Sequence, residues 1–119
     1  LFDILHIRYN AAHRGAELDI LEKLEKPTSP AIVSYTATRW GQLLNPKKVP
    51  PGDKPLSASD CYRFVLSNPA VNVCMCGPKD VSQMREALKS LVLGPMDEEE
   101  LDRVRRIGDH VHAHSGKFF

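Results

Sequence analysis

What this chain lacks narrows its class. None of its apolar runs approaches the roughly 18 residues a membrane helix requires, so no membrane partner is expected. Neither sign of charge dominates: 16 Lys and Arg stand against 15 Asp and Glu, a formal net charge of +1. Without a strong field, nucleic acid and anionic surfaces are not expected partners. The three cysteines, Cys61, Cys74 and Cys76, are odd in number and do not space as a disulfide framework. They fit a reducing, cytoplasmic setting. No signal peptide, internal repeat or low-complexity tract is visible. The length, 119 residues, is that of one domain. A closed eightfold β/α barrel usually takes about 250 residues.

What is present alternates strand and helix signals. The chain opens directly on a strand-like run, residues 1–9, with no initiator Met and no polar lead-in. That leads us to expect the back part of a larger α/β enzyme, with chemistry carried partly elsewhere. Residues 16–26 predict a short helix from Leu18, Leu21 and Leu24, with Glu22 placed to pair with Lys26 and Pro27 to stop it. A second strand is predicted over 31–37. A long Pro- and Lys-containing connection then runs from Thr38 to about Leu56; it reads as a solvated connector or as a lid over a nucleotide. Ser57 to Asp60 matches a capping box opening a helix to about Ser67. Residues 71–76 predict a third strand, and Gly77-Pro78-Lys79 a tight turn. Asp80 is placed to cap a helix with Val81, Met84, Leu88 and Leu91 on one face, ended by Gly94-Pro95. Asp97 is placed to cap a last helix, with Leu101, Val104, Ile107, Gly108 and Val111 as its inner stripe and i,i+4 pairs Glu99–Arg103 and Asp102–Arg106. His112 to Phe119 reads as a loose tail. Strands alternating with helices imply a parallel sheet and right-handed crossovers.

Parallel β/α folds bind ligands at the carboxyl ends of their strands. That points to the loops after Tyr9, after Tyr35–Thr36 and after Cys76. His6 and Arg8 share one face near the end of the first strand. They are either a buried pair satisfied internally or part of a site. The Gly77–Asp80 turn, with Lys79, leads into a helix N-terminus that suits a phosphate, although any strand–turn–helix has this look. Arg14, after the first strand, either anchors its loop or meets an anion. Cys74 and Cys76 share a strand face: small buried hydrophobes, or a redox or metal pair. No second pair supports zinc. The alternating His110, His112 and His114 read as a solvated tail before a metal site.

Together these segments resemble the C-terminal part of the aldo-keto reductases. His6-Ile7-Arg8-Tyr9-Asn10 with Arg14-Gly15-Ala16-Glu17 resembles that barrel's sixth strand and loop. Ile32 to Gly41 resembles the seventh strand and its cofactor turn. Val73 to Lys79 with Gln83, Arg85 and Glu86 resembles the eighth strand and the start of its helix, and Leu93 to Leu101 the closing segment. The resemblance implies an α/β fold: a partial (β/α)8 TIM barrel, its C-terminal portion, with three parallel strands and flanking helices, all of 1–119 lying in one domain. It also implies reduction of carbonyl substrates with NADP, NAD being the alternative, without metal or flavin.

Carried over by position, His6 stands where the family holds the nicotinamide amide with Gln, and Tyr35 where an aromatic ring stacks on the nicotinamide. Thr36, Thr38 and Arg39 match the pyrophosphate turn. Gly77, Lys79, Gln83 and Glu86 match the adenosine grip. Ala87 replaces an Asn that faces adenine in the family, and Gln83 an Arg common in NADP users. The family's catalytic Asp, Tyr, Lys and His have no counterpart among these residues, so the chain alone is expected to be inactive. The alternative is a non-catalytic nucleotide-binding or regulatory protein built on the same barrel; a plain scaffold or anion-binding domain is a third reading. A few strands of a barrel leave open edges, so a homo-oligomer or association with a missing N-terminal half is expected.

Overall fold

A computed structural model describes residues 3–24 and 29–114. Three strands, β1 (Ile4–Arg8), β2 (Ala31–Tyr35) and β3 (Val73–Cys74), form one parallel sheet in the order β1-β2-β3. The helices are α1 (Gly15–Asp19), α2 (Ala58–Leu66), α3 (Val81–Leu93) and α4 (Glu98–Ala113), with short 3-10 turns at Leu21–Lys23 and Gln42–Leu44. This is a mixed α/β fold with flanking helices.

The β1–β2 register places His6 beside Val33 and Arg8 beside Tyr35. Val33 in turn pairs with Val73. Side chains alternate across a strand, so Ile7, Ile32 and Ser34 point to one face and His6, Arg8 and Tyr35 to the other. The first face is the core. Ile7, Ile32, Tyr9, Leu43, Phe64, Val65, Val104, Ile107 and Val111 pack there beneath α2 and α4. The second face is open: Ile4, His6, Arg8, Tyr35, Val73 and Met75 are all exposed. Of the two readings of His6 and Arg8, the buried pair satisfied internally is therefore corrected. The two polar heads need no internal partner because they stand in solvent.

Caps set the helices as the sequence indicates. The Ser57 side chain accepts from the Asp60 N–H while the Asp60 carboxylate accepts from the Ser57 N–H, a reciprocal capping box. Asp80 caps α3 by accepting from the Gln83 N–H. Asp97 and Glu100 make a second capping box on α4. The predicted α4 stripe is also found: Val104, Ile107, Gly108 and Val111 are buried and Leu101 half-buried.

Several expectations are corrected. The predicted helix over 16–26 is a five-residue α1 that breaks at Ile20 (φ −129°) into a 3-10 turn. Its leucines do not share an inner face. Leu21 is buried, Leu24 half-buried and Leu18 exposed, so tertiary burial overrides the local period. Lys26 and Pro27, invoked for a charge pair and a stop, lie outside the described residues. β3 is two residues long rather than six. The Met75 N–H still donates to the Ser34 carbonyl at 2.9 Å, but Thr36 turns to a φ of 61° and β2 offers no further ladder. Helix α4 runs to Ala113, so His112 belongs to it and not to a loose tail; residues 115–119 lie outside the described residues. Arg103 and Arg106 do not rest on the predicted i,i+4 partners. Arg103 donates to the Lys54 carbonyl at 3.1 Å and Arg106 to Asp53 at 2.6 Å.

Helix α3 carries the largest departure. The face predicted from Val81, Met84, Leu88 and Leu91 is exposed, Leu91 at 70%. Ala87 and Ser90 are its buried positions, where it meets α2. The apolar stripe exists, and the described residues cover it only in part, with Met84 and Leu88 beside Tyr62 and Val81 and Leu91 mostly bare.

Candidate functional site

The three strands are parallel in one sheet, so the loops after Arg8, Tyr35 and Cys74 emerge at the same end. At that end a cavity of about 410 Å³ is lined by His6, Arg8, His13, Asp19, Ile20 and Tyr35, among others. His6 and Arg8 come from β1, Tyr35 from the last position of β2. His13 and Asp19 come from the loop and helix after β1. Asp19 shares an α1 face with Gly15, four residues before it, and both line the cavity; the sequence reading did not single it out.

The loops behind the cavity are fastened by one buried side chain. Asn10, fully buried, accepts from the Ala12 and His13 N–H groups at 2.9 Å each, and its amide donates to the Thr36 carbonyl at 2.9 Å. This ties the β1 loop to the β2 loop. Arg14 fixes the β1 loop to α4, donating to the Ala11 carbonyl at 2.8 Å and to Asp109 at 2.7 Å. Arg14 is therefore an anchor. Glu17 on α1 accepts a short hydrogen bond from the Tyr9 hydroxyl and two from the Arg105 guanidinium, at 3.0 and 2.9 Å. These bonds hold the Glu17 carboxyl below its usual range, while burial against Glu17 pushes the Tyr9 phenol up. The sequence reading missed Asn10, Glu17 and Arg105 as positioning residues. The bonds that fasten separate elements, Asn10 to Thr36 and Arg105 to Glu17, join residues far apart along the chain.

Electrostatically the cavity is mixed, with Arg8 and Asp19 both in its lining. Burial lowers the His13 imidazole to about 4, helped by the positive charge of Arg39, Arg8 and His112. His13 also meets the His112 ring edge-on, centroids 5.5 Å apart. At neutral pH His13 is therefore neutral, and Arg8 and Asp19 bring opposite charges to the cavity.

The turn after β2 is strained. Thr36, Arg39 and Trp40 all take left-handed φ values of 61°, 52° and 53°, followed by Gly41 at 84°. Non-glycine residues pay for such backbone with of order 1–3 kcal/mol each, and such strain clusters at binding sites. The Thr36 hydroxyl donates to the Tyr35 carbonyl at 2.6 Å, and the Thr38 hydroxyl accepts from the Gly41 N–H at 3.2 Å. Arg39 lies inside the turn with no exposed surface, donating to Gln42. It braces the turn from within.

The stretch after β3 is engaged with itself. The Gln83 side chain accepts from the Lys79 N–H at 2.8 Å, and Asp80 already caps the helix N-terminus. Glu86 accepts from the Ser59 hydroxyl at 2.6 Å and from Lys89 at 3.1 Å, joining α3 to α2. Gly77 and Lys79 are exposed. The structure thus gathers His6 and Tyr35 in one cavity. Thr36, Thr38 and Arg39 form its neighbouring turn. Gly77, Lys79, Gln83 and Glu86 lie on the segment after β3 and do not line that cavity.

The Lys-bearing connection is a packed segment. Leu43, Val49 and Leu56 are buried, and Asp53 and Lys54 bind α4 through Arg106 and Arg103. Among the cysteines, Cys61 is buried, Cys74 half-buried and Cys76 exposed. Burial pushes the Cys74 thiol up to about 11. Among the described residues, no three His, Cys, Asp or Glu side chains gather to hold a metal, and no helix is long and apolar enough to cross a membrane.

Neither the models of known protein families nor the curated proteins give a match to this chain.

Proposed function

We propose that this chain is the cofactor-binding portion of an NAD(P)H-dependent carbonyl reductase of aldo-keto reductase type, its sheet forming part of a TIM-barrel wall. The observation that carries the proposal is the open sheet face. A parallel sheet normally has both faces covered, yet here one face exposes Ile4, Val73 and Met75 beside His6, Arg8 and Tyr35. That mix of apolar and polar side chains on one sheet face suits the lumen side of a barrel.

His6 and Tyr35 are placed to receive the nicotinamide end: Tyr35, 39% exposed, offers a ring face and His6 a hydrogen-bonding edge. The strained Thr36–Gly41 turn, with Thr38, presents backbone groups to the pyrophosphate, and Arg39 sets its shape from inside. Lys79 and Gly77 remain open toward the adenosine end. Gln83 and Glu86 fit that role less directly, because their side chains already serve Lys79 and Ser59. NADP or NAD, when bound, supplies hydride; the chain binds and orients it. The proton donor and its partners belong to polypeptide beyond these residues, so this chain alone does not turn over. A second copy or the remaining barrel strands cover the open face. A reducing, cytoplasmic setting completes the reading.

The test is calorimetry with NADPH. We expect binding that Tyr35→Ala weakens about tenfold, equivalent to about 1.4 kcal/mol, and that His6→Ala also weakens. Unchanged affinity in both variants overturns the cofactor reading. Binding by the chain, with no aldehyde-dependent loss of NADPH absorbance when the whole barrel is assembled, selects the regulatory alternative.

A further inference from the structure

We propose that Cys74, Cys76 and Met84 form a binding site for a soft, thiophilic monovalent cation, Cu(I). The site is separate from the His6–Tyr35 cavity and independent of the reductase reading, for the two share no lining residue.

Three sulfur-bearing side chains line one pocket on the α3 flank of the sheet. Cys74 ends β3, and Cys76 follows two residues later on a segment that still pairs with β2 through the Met75 N–H. Alternate residues of an extended chain share a face, and both cysteines line one small pocket of about 130 Å³. Met84 lines it from α3, Tyr62 from α2, and Leu88 adds apolar wall. The thioether is what the sequence could not place, because Met84 belongs to the helix face expected in the core.

The geometry selects the ligand. Same-face residues two apart on an extended strand have Cβ atoms about 6.6 Å apart. A disulfide needs about 3.5–4.5 Å, so the pair does not close on itself. An ion bridging two sulfurs, each free to swing about its own Cβ, spans that gap. Thiolate and thioether donors favour Cu(I), whereas hard cations need oxygen ligands. None of the described residues lining this pocket is Asp, Glu or His, and tetrahedral zinc asks for four N, S or O donors.

Access also fits. Cys76 and Met84 are exposed and Cys74 half-buried, so an ion enters from solvent and meets the inner sulfur last. The reading of cysteine as a small buried hydrophobe accounts for Cys61 but not for Cys76. On binding, Cu(I) forms bonds to the Cys74 and Cys76 sulfurs, whose two thiol protons leave to solvent. Met84 donates a lone pair, and no oxidation state changes.

The experiment is an anaerobic titration of the reduced chain with Cu(I) in competition with bathocuproine disulfonate. We expect one Cu(I) held per chain. Cys74→Ser and Cys76→Ser should each weaken binding about 100-fold, and Met84→Leu about tenfold, at about 1.4 kcal/mol per factor of ten. Cys61→Ala should leave binding unchanged. X-ray absorption of the loaded chain should show sulfur donors alone, with one fewer in Met84→Leu. Circular dichroism checks that each variant is folded. Copper yielded to the chelator as readily by the wild type as by the Cys74→Ser/Cys76→Ser double variant overturns the proposal. Nitrogen or oxygen donors in the copper shell overturn it equally.

Discussion

Gly108 is the point where α4 crosses the loop after β1. A Cβ built there would lie 2.0 Å from the Ala11 carbonyl oxygen and 2.4 Å from its carbon. Backbone cannot yield as a flexible side chain does. Gly108→Ala should therefore destabilise by about 1–3 kcal/mol or more through overpacking, despite the roughly 1 kcal/mol gain in helix propensity. Urea unfolding checks this, and a stabilised variant would contradict the crossing. His13 gives a second expectation at this scale. Its imidazole is lowered from 6.5 to about 4, so between those values the unfolded chain binds more protons than the folded one. Stability that is full above about pH 6.5 is then lost as pH falls toward 4. Substituting His13→Gln should flatten that part of the pH–stability curve.

Among the elements, α4 is the clamp and α3 the loose flank. Arg105 of α4 holds Glu17 with two bonds and lies 5.3 Å above the Phe64 ring, while Arg14 and Arg63 tie it to the β1 loop and to α2. Breaking one partner of a charge-assisted pair costs about 1.5–3 kcal/mol. Arg105→Ala should lose stability in that range at neutral pH, and less below the Glu17 pKa. The sign follows from Glu17: its folded pKa is depressed, so its contribution is present above the unfolded value near 4.5 and fades as pH falls through the folded one. Thermal unfolding at several pH values reads this out. Losing a cap is smaller: Asp97→Ala should cost about 1 kcal/mol by leaving the first-turn N–H groups of α4 unpaired.

At the scale of the whole molecule, the described residues leave apolar side chains exposed on the open sheet face and along the α3 stripe of Val81, Met84, Leu88 and Leu91. Exposed patches of this kind mark contact surfaces, and the free edges of a parallel sheet invite further strands. Light scattering should find this chain associated. Leu88→Lys with Leu91→Lys should shift it toward monomer, since both side chains are exposed and contribute little to its own core. An unchanged mass in that double variant would remove α3 from the contact.

The sequence by itself determined the parallel α/β order, the helix starts at Ser57, Asp80 and Asp97, and the buried stripe of α4. Caps act within three or four residues, and a 16-residue helix repeats its period often enough to be read. The strand ends carrying His6, Arg8 and Tyr35 were legible for the same reason. Only the tertiary structure decided the rest. Leu18 and Leu88 have the same spacing signal as buried leucines, and whether something packs on them is a matter of distant chain. Arg39 and Glu86 look available as written, yet burial turns one inward and Ser59 engages the other. The Asn10 bond to Thr36, Arg105 and the Met84 side chain depend on partners many residues away, which no local pattern encodes.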